Sequence, residues 1–168
     1  MPLWKVDPAL EQRSDIPYGK VQNEILFESR SLGYQITYSV YLPFGQHDTL
    51  PVIYVTDGFE YMHPKMGNMI TILDNLIADK KIKPVMAIFI DHREPVNRSN
   101  NRRMDELAMS EKYLTFFTEE FIPLIEHSYP VAKGRENRAI LGTSMGGLTS
   151  AYFIFSRPEV FGMAGIQS

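Results

Sequence analysis

The chain has 168 residues, 44% of them hydrophobic and 22% charged, with a formal net charge of −3 and an isoelectric point near 5.8. A domain near this size buries roughly 68–70% of its unfolded surface, so the chain fits one domain around one core. The mild acidity argues against nucleic acid as a partner, the lack of cysteine removes disulfides, thiolate metal sites and a cysteine nucleophile, and no window approaches the roughly 18 consecutive apolar residues of a membrane span.

Residues 1–19 hold Pro2, Pro8 and Pro17 and read as an extended leader without a regular element. Lys5, Asp7, Glu11, Arg13 and Asp15 leave it no apolar signal core, so the location reads as cytoplasmic. Further on, Tyr34, Ile36, Tyr38, Val40 and Leu42 alternate with Gln35, Thr37, Ser39 and Tyr41, the period-two pattern of a strand with one wetter face. Residues 21–29 pair with that strand as an antiparallel hairpin turning at Leu32-Gly33. Residues 52–56 and 85–90 are short continuous apolar runs, as in parallel strands covered on both faces by helices. Between them Met66, Met69, Ile70, Leu73, Leu76 and Ile77 follow helical spacing. A second long helix is expected over 111–127, burying Tyr113, Leu114, Phe117, Phe121, Leu124 and Ile125, with a kink at Pro123. A strand over 139–141 follows, then a helix over 145–155 that stops before Arg157-Pro158, and a sixth strand over 161–167. Strands alternating with helices after an antiparallel start give an α/β fold, an open and mostly parallel sheet with helices on both faces. Ligands of such sheets bind beyond the carboxyl ends of the strands, which singles out loops 57–64 and 91–104 and the turn that follows residue 141.

That turn reads Gly142-Thr143-Ser144-Met145-Gly146-Gly147, a G-x-S-x-G between a strand and a helix. A serine there sits on a sharp, strained bend that flanking glycines accommodate, and its side chain points out of the sheet as a candidate nucleophile. The Met145 N–H is then placed to meet a developing oxyanion. A second donor normally comes from the loop after the third strand, here Thr56-Asp57-Gly58-Phe59. Either the Phe59 N–H faces Ser144 or the segment is an ordinary Asp-Gly turn.

Two further groups lie on the same side of the predicted sheet. Arg93, Arg98, Arg102 and Arg103 either contact an anionic or polyhydroxylated substrate or form a solvated basic loop. His92, next to Asp91, and His63 could both reach the mouth of the site, His92 as a base or simply as a solvated loop residue. His127 ends a helix, where a cation suits the dipole, and His47 falls in a hairpin loop on the opposite side.

With these pieces in order the chain resembles the esterase family of α/β-hydrolases that includes enterochelin and other siderophore esterases, feruloyl esterases, S-formylglutathione hydrolase and the antigen 85 mycolyltransferases. The resemblance runs over nearly the whole chain. It is carried by Asp15-Ile16-Pro17-Tyr18-Gly19, Val40-Tyr41-Leu42-Pro43, Tyr54-Val55-Thr56-Asp57-Gly58, residues 103–107, residues 119–126 with Tyr129, and residues 142–148 followed by Pro158, Phe161 and Ser168. It implies an α/β-hydrolase domain over residues 20–168, a serine carboxylic-ester hydrolase with Ser144 as nucleophile, and the Met145 and Phe59 amides as the oxyanion hole. Arg103 and Glu106 match an arginine and a glutamate that the family places near its pocket, where with His92 they would bind substrate, the alternative being a surface ion pair. No metal or cofactor is required, and the partner implied is a small-molecule ester. The family pattern sets its acid and histidine after a seventh and an eighth strand, and nothing here matches them. The expectation is therefore a domain incomplete at its C-terminus, inactive by itself, whose exposed last strand would favour a homo-oligomer. Acyl transfer, thioester hydrolysis, and a non-catalytic binding role on the same scaffold are the alternatives.

Overall fold

The computed structural model describes residues 7–168. The chain builds β1 (Lys20–Ser29), β2 (Tyr34–Leu42), β3 (Val52–Val55), α1 (Gly58–Met62), α2 (Met69–Ala78), β4 (Met86–Asp91), α3 (Arg103–Leu107) and α4 (Glu111–Thr115). A π-helical turn (Phe116–Phe121), α5 (Ile122–Ser128), β5 (Arg138–Thr143), α6 (Met145–Ser156) and β6 (Met163–Gln167) complete it. One six-stranded sheet results, in the order β1-β2-β4-β3-β5-β6. The contacts β1/β2 and β2/β4 are antiparallel, and β4/β3, β3/β5 and β5/β6 are parallel. The mostly parallel sheet with an antiparallel hairpin in front is thus present.

Both faces of the sheet are covered, and the apolar runs of β3 and β4 follow from that. On one face Tyr38, Tyr54, Ile88 and Ile140 pack with Phe117, Phe121, Phe153 and Phe161, which come from the π turn, α6 and the approach to β6. On the other, Tyr41, Val55, Ala87 and Phe89 pack against Met69 and Leu73 of α2. The expected wetter face of β2 is the exception to the sequence reading. Thr37, Ser39 and Tyr41 are all buried, because β2 is an inner strand between β1 and β4.

Helix boundaries shift for identifiable reasons. Met66 is 58% exposed in a turn, and α2 starts only after Asn68, whose φ of 45° breaks the run. Residues 57–64 and 91–104 are not wholly loops, since α1 and α3 lie within or across them. The expected kink at Pro123 takes the form of the π turn. Proline has no N–H to donate, and the Ile122 N–H reaches back to the Phe117 carbonyl before a regular helix resumes. The described part of the leader is not featureless either. Its Pro8–Leu10 turn is held to α2 by Asn75 Nδ2, which donates to the carbonyls of Ala9 (2.9 Å) and Glu11 (2.8 Å). Pro2 and Lys5 lie outside the described residues.

The β1–β2 hairpin is clamped from below by Glu120. Its carboxylate accepts from the Ser29 hydroxyl (2.9 Å), the Arg30 amide (3.1 Å) and the Ser31 amide (2.7 Å) and hydroxyl (2.5 Å). Partial burial pushes this carboxyl up, but the bonds from Ser31, Ser29 and Arg30 outweigh it and hold it below its ordinary value of 4.5. A depressed folded-state pKa gives stability that is present above pH 4.5 and fades as pH falls through the folded value. Glu120→Gln is therefore expected to lower the thermal midpoint at pH 7, with the gap to wild type closing below about pH 4.5, as followed by circular dichroism. A gap independent of pH would contradict the assignment.

Candidate active site

The parallel strands β3, β4, β5 and β6 send their carboxyl ends to one edge of the sheet. Chain order reverses about β3, since β4 lies on one side of it and β5 on the other, which is where crevices form in such sheets. Ser144 occupies this point. It is exposed between β5 and α6 at φ 53° and ψ −115°, a conformation that a non-glycine residue holds only under constraint.

Small residues make the bend feasible. A Cβ on Gly142 would strike the Gly146 backbone and the Thr56 hydroxyl, so strand, turn and helix approach one another at van der Waals range. Gly58, which opens α1, has the same constraint, because a Cβ there would lie 2.6 Å from the Ile90 nitrogen. Met145 and Phe59 are first-turn residues of α6 and α1, where amides lack an intrahelical acceptor.

The turn after β3 and the turn after β5 are bolted together. Asp57, left-handed at φ 55° and 4% exposed, receives Arg103 through two nitrogens, Nε at 2.5 Å and Nη2 at 2.9 Å. The same Nη2 donates to the carbonyl of Thr143, the residue before Ser144, at 3.2 Å. Asp57 raises the Arg103 pKa above its ordinary value, against a smaller opposing effect of burial. One guanidinium from α3 therefore spans the two segments that frame the site.

His92 and Glu106 are placed differently from the sequence expectation. Both are buried, at 4% and 2% exposure, and the His92 Nδ1 pairs with Glu106 while its Nε2 accepts from the Asp57 N–H at 3.1 Å. Tyr34 donates its hydroxyl to the other Glu106 oxygen at 2.8 Å. Burial, followed by the nearby Glu106 charge, pushes the Tyr34 hydroxyl well above its ordinary pKa. Both ring nitrogens of His92 are engaged under the loop, so in this arrangement it is not a solvated loop residue, and Glu106 is not a surface ion pair.

The arginine cluster is likewise committed. Arg93 and Arg98 both reach Asp91, Arg98 also pairs with Glu24, and Arg102 pairs with Glu94 while stacking 4.0 Å above the Tyr34 ring. Burial pushes the Asp91 carboxyl up, but Arg93 and Arg98 prevail and hold it below its ordinary value. Arg93 also lies 3.5 Å over the ring of Phe59. Beside that ring opens a cleft of about 450 Å³ whose walls include Thr37, Ser39, Met62, His63, Asp91 and Arg93. Sequence reasoning missed Asp57 as the partner of Arg103 and Tyr34 as the partner of Glu106. The only local signal was Asp57 itself, an acid directly before a glycine at a strand end.

A family model described as "Putative esterase" matches residues 29–168. The chain is 32% identical over 93% of its length to an endo-1,4-beta-xylanase/feruloyl esterase of Xylanibacter ruminicola, and covers 22% of that protein. In fold it is similar to the ferulic acid esterase of the fungus Anaeromyces mucronatus (TM-score 0.75, 21% identity, 95% of this chain and 62% of that one). It is also similar to the ferric enterobactin esterase of Salmonella typhimurium (TM-score 0.80, 18% identity, 98% and 40%). The chain thus spans about a fifth of the curated relative and roughly half of the solved chains. No helix among the described residues is long and apolar enough to cross a membrane.

Proposed function

The chain belongs to the esterase family whose model it matches, and on that premise we propose that Ser144 is the nucleophile of a carboxylic-ester hydrolase working through an acyl-serine intermediate. The observation that carries this reading is the strained, exposed Ser144 between β5 and α6. Ser144 Oγ attacks the ester carbonyl, and the tetrahedral oxyanion is received by the Met145 and Phe59 amides. The alcohol leaves with a proton, and water then releases the acid by the reverse sequence.

Arg103 supports the pairing of those two amides, because it ties the carboxylate of Asp57 to the carbonyl of Thr143. The base that takes the serine proton, and the acid that orients it, we assign, following the family pattern, to segments after a seventh and an eighth strand outside these 168 residues; His92 is not the base, as both its nitrogens are already engaged. As substrate class we propose hydroxycinnamoyl esters ahead of siderophore lactones. The feruloyl esterase relative shares 32% of residues over nearly the whole chain, whereas the siderophore esterase is similar in fold alone.

A fluorophosphonate probe tests the reading directly. We expect no labelling of Ser144 in the 168-residue chain, and labelling by mass spectrometry once the chain is extended at its C-terminus to the length of the Anaeromyces esterase. Failure in both would leave a non-catalytic scaffold, and labelling of the short chain that disappears in His92→Ala would make His92 the base after all.

A further inference from the structure

The Asp57 amide stands at a place where the sheet ceases to provide for it. The paired register of β3 with β4 ends at Val55 and Phe89, and Thr56 N–H turns the other way, to the Leu141 carbonyl at 2.9 Å. Asp57 N–H is therefore left on the β4 side, just where the following Gly58 crosses close against the Phe89–Ile90 backbone. A buried N–H needs an acceptor, and the acceptor is the His92 ring rather than a carbonyl. An imidazole nitrogen accepts only when it carries no hydrogen, so the ring proton sits on Nδ1 and is directed at Glu106. Glu106 in turn is fixed through its second oxygen by the Tyr34 hydroxyl.

These contacts surround a residue that would not hold its shape unaided. Asp57 is left-handed, a region that a residue with a Cβ adopts at a cost. Its carboxylate is held by Arg103 and its amide by His92. The next amides but one along the chain, starting α1, include that of Phe59. We propose that His92, braced by Glu106 and Tyr34, is a positioning residue that fixes the Asp57 peptide and thereby aims the Phe59 N–H at the oxyanion. This role rests on the reading of Phe59 as an oxyanion donor for Ser144. It differs from simple core filling, which would require neither one tautomer nor an acceptor at Nε2.

Amide hydrogen exchange followed by NMR on this chain tests the proposal without requiring turnover. In His92→Asn a side-chain amide at the place of Nδ1 still satisfies Glu106, but nothing reaches the Asp57 N–H. We expect the Asp57, Gly58 and Phe59 amides to exchange about tenfold faster, the loss of one buried hydrogen bond, while β5 and α6 keep their wild-type rates. His92→Gln sets a carbonyl oxygen near the place of Nε2 and should restore protection to within about threefold of wild type. The ¹⁵N shifts of the wild-type ring should show Nδ1 protonated and Nε2 bare. Unchanged loop amides in His92→Asn would overturn the proposal, as would acceleration spread equally through β5 and α6, or a His92→Gln variant no better protected than His92→Asn. Should His92→Asn not fold, Tyr34→Phe serves, because Tyr34 lies at the partly exposed end of the chain of contacts. It should speed the same three amides by about threefold, and no change there would equally sink the idea. Failure of Ser144 to take up a fluorophosphonate in the C-terminally extended chain would remove the reading of Ser144 as nucleophile but leave these exchange rates interpretable.

Discussion

Exchanging Ser144 for glycine should abolish ester hydrolysis and, at the same time, make the fold more stable. In hydrolases with a complete triad, loss of the nucleophile costs about 10⁶-fold in kcat, and the C-terminally extended chain should behave alike toward a feruloyl ester. The gain in stability comes from the backbone. A side chain held at φ 53° and ψ −115° stores on the order of 1–3 kcal/mol, which glycine releases, less about 0.5–1 kcal/mol for its freer unfolded chain. The balance is about 1 kcal/mol, or a thermal midpoint about 2–4 °C higher for a chain of this length. Ser144→Ala separates the two effects, because it removes the hydroxyl but keeps the Cβ and the strain. Calorimetry should place Ser144→Ala beside wild type and Ser144→Gly above both. If the glycine variant melts at or below the alanine variant, the bend is not strained, and retained hydrolysis in either would refute Ser144 as nucleophile.

The second large effect is expected at Arg103. Replacement by methionine keeps much of the stem's packing but leaves the Asp57 carboxylate, 4% exposed, without its cation. Breaking a buried pair from one side costs about 3–5 kcal/mol, and since the Arg103 side chain is itself 25% exposed the lower end applies, about 3 kcal/mol. The thermal midpoint should fall by roughly 6–12 °C. Adding Asp57→Asn should recover much of this loss, because the orphaned charge is then gone. Arg103→Lys should fall between, since a single ammonium cannot hold both Asp57 oxygens and the Thr143 carbonyl in one plane. A loss below about 0.5 kcal/mol in Arg103→Met, measured by urea denaturation, would show that water replaces the guanidinium there.

What the sequence revealed, and what it withheld, follows from the range of each interaction. The strands near residues 52–56 and 85–90 were legible because burial on both faces leaves an unbroken apolar run. β2 was legible as a strand but not as an inner one, since alternation in Thr37, Ser39 and Tyr41 says nothing of what packs above them. α1 and α3, five residues each, span less than two turns and give no period to detect. The bend at Ser144 could be read because glycine, serine and glycine are all local to it. By contrast Arg103 meets Asp57 across 46 positions, and Tyr34 meets Glu106 across 72, so only the folded sheet brings them together. His92 drew notice as a histidine at a strand end, yet it is buried, with Glu106 on its Nδ1 and the Tyr113 ring beside it, neighbours that only the fold supplies.

The loop after β4 looks cationic when its letters are counted. In the folded chain Arg93, Arg98, Arg102 and Arg103 meet Asp91, Glu24, Glu94 and Asp57, four against four. Each guanidinium is thus spent on a neighbouring carboxylate within 3.2 Å rather than standing free above the cleft. The wall of that cleft around Phe59, with Arg93 laid over its ring, is then left to short-range contacts, the kind an uncharged ester of the class proposed above would make.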